Sequence, residues 1–244
     1  MIKRMLLLAL AALLLFCAAA YAQESELPQK VVYLTFDDGP KQDTPELLAL
    51  LEKLDVPATF FFWGLSAKKY PEHAKLVVEA GYPVGCHSMG HKPSVLKENP
   101  HAVGRDIERF MTMMRELVGE QFTTNLYRFP GGSSSYPYAV RRAVAEAGFA
   151  WFDWNGMTGD THAGMKTRDL YDYAVKTSGN DDVVIMLMHE GKVRTRDILP
   201  DLVAYFRERG YVFRTLATDE TEREILSRCP ANMMLPEMTG GMAQ

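Results

Sequence analysis

From Val31 to about residue 217, runs of apolar residues alternate with stretches whose apolar positions recur at helical spacing. Val31–Phe36 reads as a buried strand. Beyond it, Thr44 is placed to cap a helix whose first residue is Pro45. Leu47, Leu48, Leu51 and Leu54 then line one face, with Leu50 beside them. The same pairing repeats along the chain. Ala58–Trp63 is β-rich and precedes a helix over Glu72–Glu79 that Gly81 closes. Tyr82–Cys86 is a short strand, and Pro100–Leu117 is a long helix ending at Gly119. Strands over Leu126–Phe129, Phe149–Trp154, Asp182–Met188 and Tyr211–Leu216 alternate with helices over Pro137–Ala147, Thr167–Thr177 and Arg196–Arg209. Asp182–Met188 is apolar almost throughout, as a strand covered on both faces must be.

Strands separated by helices predict an α/β fold with a mostly parallel sheet, open or closed into a barrel. A chain of 244 residues has the length of one α/β barrel. No internal repeat, low-complexity stretch or linker divides residues 31–218, which read as one domain. Residues 219–244 are expected to form a tail, with a short helix over Glu220–Leu226 that then frays into Met, Pro and Gly.

A different pattern precedes the first strand. Lys3 and Arg4 stand before an apolar run, and Ala20-Tyr21-Ala22 puts small residues where signal peptidase cuts. Residues 1–22 therefore read as a signal peptide and 23–30 as a polar leader. The rival is an uncleaved anchor, because the uncharged stretch Met5–Ala22 is at the lower limit for spanning a bilayer. Lipid attachment at Cys17 is disfavoured by the bulky Phe16 before it. Either way the domain is expected to be extracytoplasmic, secreted or held at the cell envelope. In that compartment Cys86 and Cys229 either pair or stay as thiols, and spacing alone does not choose. Composition narrows the classes further. With 47% hydrophobic and 24% charged residues the chain is not disordered, collagen-like or a coiled coil. A net charge of −4 argues against non-specific nucleic-acid binding.

The chemistry collects where strands end. Asp37 and Asp38 follow Phe36, and His87 follows Cys86. Arg128 sits in the Leu126–Phe129 run, Asp153 and Trp154 end the Phe149 run, and His189 ends the Val183 run. In a parallel α/β sheet these carboxyl ends open on one face, where active sites form. Asp37-Asp38-Gly39-Pro40 reads either as a turn cap or as two carboxylates with two jobs, since a strand sends neighbours to opposite faces. They are too close for a glycosidase pair, and no closing Glu makes a calcium loop. His87 and His91 are either surface residues or two ligands of one Zn²⁺ with a carboxylate as third ligand. The Glu that zincin proteases carry between two such histidines is missing. Arg128 either snorkels to solvent or holds a carboxylate, beside a backbone N–H in Pro130-Gly131-Gly132 aimed at an oxyanion. His73, His101 and His162 read as ordinary surface or loop residues.

Taken in order, five segments resemble the motifs of the polysaccharide deacetylases of carbohydrate esterase family four, the NodB-homology domains. They are Thr35-Phe36-Asp37-Asp38-Gly39-Pro40, His87-Ser88-x-x-His91, Arg128-Phe129-Pro130-Gly131, Asp153-Trp154 with Asp160, and Leu187-Met188-His189-Glu190. The resemblance runs from about Val31 to Leu216. It implies a distorted (β/α) barrel binding a divalent metal through Asp38, His87 and His91, usually Zn²⁺, with Co²⁺ or another divalent transition metal able to substitute. It also implies Asp37 as general base oriented by Arg128, and His189 as general acid paired with Asp160. The Gly131 N–H would face the oxyanion, and Trp154 and Leu187 would wall the acetyl pocket.

The implied reaction is N-deacetylation of cell-wall glycan (GlcNAc or MurNAc of peptidoglycan) or of chitooligosaccharide. An O-acetyl xylan esterase and a non-catalytic carbohydrate-binding domain are the alternatives. The expected partner is an N-acetylated polysaccharide or oligosaccharide, with no nucleic acid, and a membrane only if the first segment stays uncleaved. A monomer is expected. Four positions depart from the commonest pattern: Gly131 for Tyr, Glu190 for Asp, Thr161 for Trp, and Cys86 for a polar residue before His87. They bear on substrate preference more than on activity.

Overall fold

The computed structural model describes residues 27–236, so the expected signal peptide, Cys17 and the last part of the expected tail lie outside it. Among the described residues the strands are β1 (Val31–Gly39), β2 (Thr59–Phe62), β3 (Val84–Cys86), β4 (Leu126–Tyr127), β5 (Ala150–Phe152), β6 (Gly156–Met157), β7 (Val183–His189), β8 (Val212–Arg214) and β9 (Met233–Met234). The helices are α1 (Thr44–Leu54), α2 (Gly64–Lys69), α3 (Pro71–Glu79), α4 (Pro93–Leu96), α5 (Pro100–Val118), α6 (Tyr138–Glu146), α7 (Thr167–Ser178), α8 (Val193–Glu208) and α9 (Glu220–Leu226).

One sheet runs in the order β6-β7-β1-β2-β3-β4-β5-β9, parallel except for the β5–β9 pair. β1 is its hub. One edge pairs with β7 from Val31↔Val183 to Asp37↔His189; the other is shared by β8 at its start and β2 at its end. β5 and β6 lie near opposite ends of the sheet yet are separated in sequence only by Asp153-Trp154-Asn155. That short crossing pulls the sheet round into an incomplete barrel. Asn155 fastens the seam, its side-chain amide donating to Val183 O and accepting from Ile185 N, at 2.9 and 2.8 Å.

Strand alternation splits the core in two. Val31, Tyr33, Phe61, Phe152 and Ile185 fill the barrel interior, whereas Val32, Leu34, Phe36 and Phe60 pack outward under the helices. Continued along β1, the inward parity reaches Thr35 and Asp37.

Most expected elements are present, with ends shifted by a few residues. The expected Thr44 cap is displaced by one position. The helix begins at Thr44 itself, whose hydroxyl accepts from Lys41 N and donates to Glu190. Sequence reading passed over α2, α4, β6 and β9, all too short to show a period. The expected fraying after α9 does not extend to the described residues. Ile225 and Leu226 are buried in the barrel interior, Tyr33 and Arg214 bond to the buried Glu222, and β9 pairs with β5. The domain thus continues past residue 218. Among the described residues Cys86 and Cys229 are unpaired, one on the outer face of the sheet and the other packed against the interior cluster.

Ile225→Ala should cost roughly 2–4 kcal/mol, the scale of a truncation in a packed core, measured by denaturant unfolding. A loss within the noise would mean that α9 only rests on the barrel.

Candidate active site

The carboxyl ends of β1, β3, β4, β5 and β7 bring the motif residues together at the mouth of the barrel. Asp37, 2% exposed, points inward beside His189 of β7. Arg128 is fully buried after β4. Its guanidinium donates to Asp37 Oδ1 at 2.9 Å, Thr35 Oγ1 at 2.6 Å and Phe152 O at 3.1 Å, with the Phe61 ring 4.3 Å away. A buried charge requires such partners. The snorkelling alternative for Arg128 is therefore excluded.

At Asp38 β1 bulges, the backbone turning to φ 68°, in the left-handed region, between the Asp37↔Phe61 and Gly39↔Phe62 pairs. This separates its carboxylate from that of Asp37 and sends it toward two imidazoles. Asp38 Oδ1 lies 3.2 Å from His91 Nε2 and 3.7 Å from His87 Nε2, and the three candidate ligand atoms lie within 4.8 Å of one another. His87 Nδ1 bonds to Arg128 O at 2.9 Å, which leaves Nε2 turned to the cluster. Burial pushes the His87 pKa down, against the fields of Asp37 and Asp38, and so favours the neutral ring that a metal ligand needs. Asp38 Oδ1 is itself buried and accepts no hydrogen bond among the described residues. An orphaned carboxylate oxygen facing two imidazole nitrogens fits a divalent transition ion, whose charge would satisfy it.

The loop carrying these imidazoles is strained, with Ser88 at φ 68° and His91 at φ 48°. Two groups hold it. Ser88 Oγ accepts from Gly90 N and His91 N, and Asp106 on α5 accepts from Met89 N at 2.8 Å. Sequence reading did not single out Asp106. The signal was present all the same: Asp106 shares a helix stripe with Val103, Ile107 and Phe110, where a carboxylate is out of place unless it has donors.

Across the mouth, His189 Nδ1 meets Asp160 Oδ1 at 2.7 Å, while Asp160 Oδ2 accepts from His189 N and Thr195 Oγ1. Burial alone pushes the His189 pKa down, but the bond to Asp160 and the fields of Asp37, Asp160 and Asp38 outweigh it and raise it above the usual histidine value. For Asp160 burial pushes the other way, and the bonds from His189 and Thr195 hold it below the usual carboxylate range. Asp153 lies buried beneath the Gly131–Ser133 turn, accepting from Ser133 N and Oγ. Gly131 has φ 75° and its N–H donates to no acceptor among the described residues. Leu187 shares the inward parity of β7, and Trp154 packs against the interior cluster.

Residues 24–152 match the model of the polysaccharide deacetylase family. The chain belongs to that family, carbohydrate esterase family four. It is 31% identical over 195 residues to a peptidoglycan-N-acetylglucosamine deacetylase of Bacillus cereus, covering 76% of this chain and 68% of the relative. To the peptidoglycan-N-acetylmuramic acid deacetylase PdaA of Bacillus subtilis it is 26% identical over 206 residues, 81% of this chain and 74% of the other. A solved CE4 esterase of Streptococcus mutans superposes with a TM-score of 0.72 at 29% identity, covering 78% of this chain and 87% of that one. For this polysaccharide deacetylase family member, Asp38, His87 and His91 form the candidate metal site.

Asp160→Asn removes a negative charge and the strongest acceptor for His189 Nδ1. The His189 titration midpoint, followed by NMR, should therefore move to lower pH as burial meets less opposition. An unchanged midpoint would show that the pairing carries no electrostatic weight.

Proposed function

We propose that the protein is a metal-dependent N-deacetylase of cell-wall glycan. The observation that carries this reading is the meeting, at one barrel mouth, of the Arg128-held Asp37, the Asp160-held His189 and the Asp38-His87-His91 cluster. The names of the Bacillus relatives support a peptidoglycan substrate, with GlcNAc or MurNAc as the sugar acted on.

Asp38, His87 and His91 would hold a divalent ion, Zn²⁺ in our reading, which when bound would supply the Lewis acidity that polarises an acetamido carbonyl and acidifies water. The chain's own groups do the rest. Arg128 occupies Asp37 Oδ1 and leaves Oδ2, 3.7 Å from His87 Nε2, free to take the proton of the attacking water. The Gly131 N–H donates to the oxyanion as charge develops there. His189, kept charged by Asp160, gives its proton to the departing amine, which without it is a very poor leaving group. Trp154 and Leu187 wall the space for the acetyl methyl. The amino-terminal signal pattern supports work outside the cytoplasm, and we take the acting unit to be a monomer.

The protein should release acetate from peptidoglycan or from N-acetylglucosamine oligomers, lose that activity to a chelator and regain it with zinc. Full activity without metal would overturn the metal dependence; no acetate from either glycan would overturn the deacetylase reading.

The neighbouring carboxylates should separate cleanly. Asp37→Asn should keep metal and fold yet lose roughly 10²–10⁴ in rate, the usual scale of general acid–base catalysis. Asp38→Asn should instead weaken metal binding, and added zinc should restore part of its activity. Metal loss in the first variant but not the second would reverse the two roles.

A further inference from the structure

Lys41 lies just beyond the Asp38 turn and belongs to none of the roles above. Its backbone is fixed on both sides: the N–H donates to Thr44 Oγ1 at 2.8 Å, and the carbonyl accepts from His73 Nδ1 at 2.7 Å. The stem lies along Gly191, where a Cβ would come within 3.1 Å of Lys41 Cγ. The ammonium donates to Ser66 Oγ at 3.3 Å and sits 5.0 Å from the centre of the Trp63 ring. That same indole lies 5.7 Å from the His91 ring, so one aromatic side chain sets the ammonium's position relative to a candidate metal ligand.

The arrangement is costly for a mere staple. Holding a half-buried lysine in one place sacrifices rotamer entropy and part of its hydration. Among the described residues no carboxylate lies within 4.0 Å of the Lys41 ammonium to offset this, although the fields of Asp38 and Glu190 reach it. Lys192 is a second cation whose field reaches the same ammonium. A divalent ion at Asp38 would draw on that carboxylate's charge and leave Lys41 still less compensated. An ammonium so placed, with one acceptor among the described residues and two N–H groups left over there, matches an anion that arrives with the ligand.

We propose that Lys41 is a specificity-determining residue that receives a carboxylate on the sugar next to the one deacetylated. The preferred substrate is then an acidic N-acetylated glycan, such as strands whose alternate sugars carry a lactyl carboxyl, and not a neutral polymer. This inference rests on the deacetylase reading above and narrows its substrate.

Two probes of equal length test it: peptide-free oligomers of alternating GlcNAc and MurNAc, with their carboxylates free, and neutral N-acetylglucosamine oligomers. Acetate release on each is measured for the wild type, Lys41→Met and Lys41→Arg, and calorimetry gives the affinity of each probe for the chelated protein. The wild type should favour the acidic oligomer. Lys41→Met should cut the acidic-over-neutral ratio of kcat/KM roughly ten-fold, the scale of one charge-assisted hydrogen bond partly open to water. The loss should fall in KM, Lys41→Arg should keep most of the preference, and added salt should erode it. An unchanged ratio in Lys41→Met, or equal losses on both oligomers together with a lower melting temperature, would overturn the proposal. If neither oligomer yields acetate, calorimetry still decides. A Lys41-dependent preference in binding would uphold the subsite while the deacetylase reading falls, and its absence would remove both.

Discussion

A guanidinium removed from water inside a protein must find its whole complement of acceptors there, and Arg128 does. Asp37, Thr35 and the carbonyls of Phe152 and Asp153 surround it, and Phe61 covers its face. Thr35 passes the contact on, donating to Met186 O on β7 at 2.7 Å. One buried cation thus ties β1, β5 and β7 to the end of β4 at the level where the barrel opens. Losing a partner from such an arrangement costs about 3–5 kcal/mol, because the remaining charge stays buried. The same bonds fix which oxygen of Asp37 faces inward and which remains for chemistry. The interaction that holds the barrel mouth together is therefore also the one that orients its candidate base.

Around this anchor the backbone departs from ordinary geometry where the ligand cluster forms. Asp38, Ser88 and His91 all adopt left-handed φ; the other described non-glycine residue to do so is Asp55, which caps α1. Such strain persists only where neighbours over-determine it. Ser88 and Asp106 do so for the histidine loop. For the Asp38 turn the neighbour is Glu190, which accepts from Thr44 and sits where any Cβ on Gly39 would collide with its Oε1. Burial pushes this carboxyl up to about 8, against the bond from Thr44 and the field of Lys41, and it fills the space behind the turn.

The departures from the commonest family pattern fall into two kinds. Glu190 and Cys86 are buried behind the site, where they meet the turn and the outer core. Gly131 and Thr161 are exposed at its rim. At Gly131 the φ of 75° suits glycine, and among the described residues no atom beyond its chain neighbours lies within 4 Å of where a side chain would begin. Lys41 and Trp63 bring charge and aromatic surface beside His91.

The sequence by itself determined the α/β alternation and the collection of polar residues at strand ends. Each of these follows from local periodicity, which a chain records in its order. It also held the five motifs, because residues that bond to one another keep type and spacing. Only the tertiary structure decided that α9 and β9 belong to the barrel, that Asn155 closes its seam, and that the two cysteines stay apart. It alone showed Asp106 beneath the histidine loop and Lys41 beside Trp63. These are contacts between residues far apart in sequence, made by elements too short to carry a period, and a buried carboxylate or a half-buried lysine declares its partner only when the chain has brought the two together.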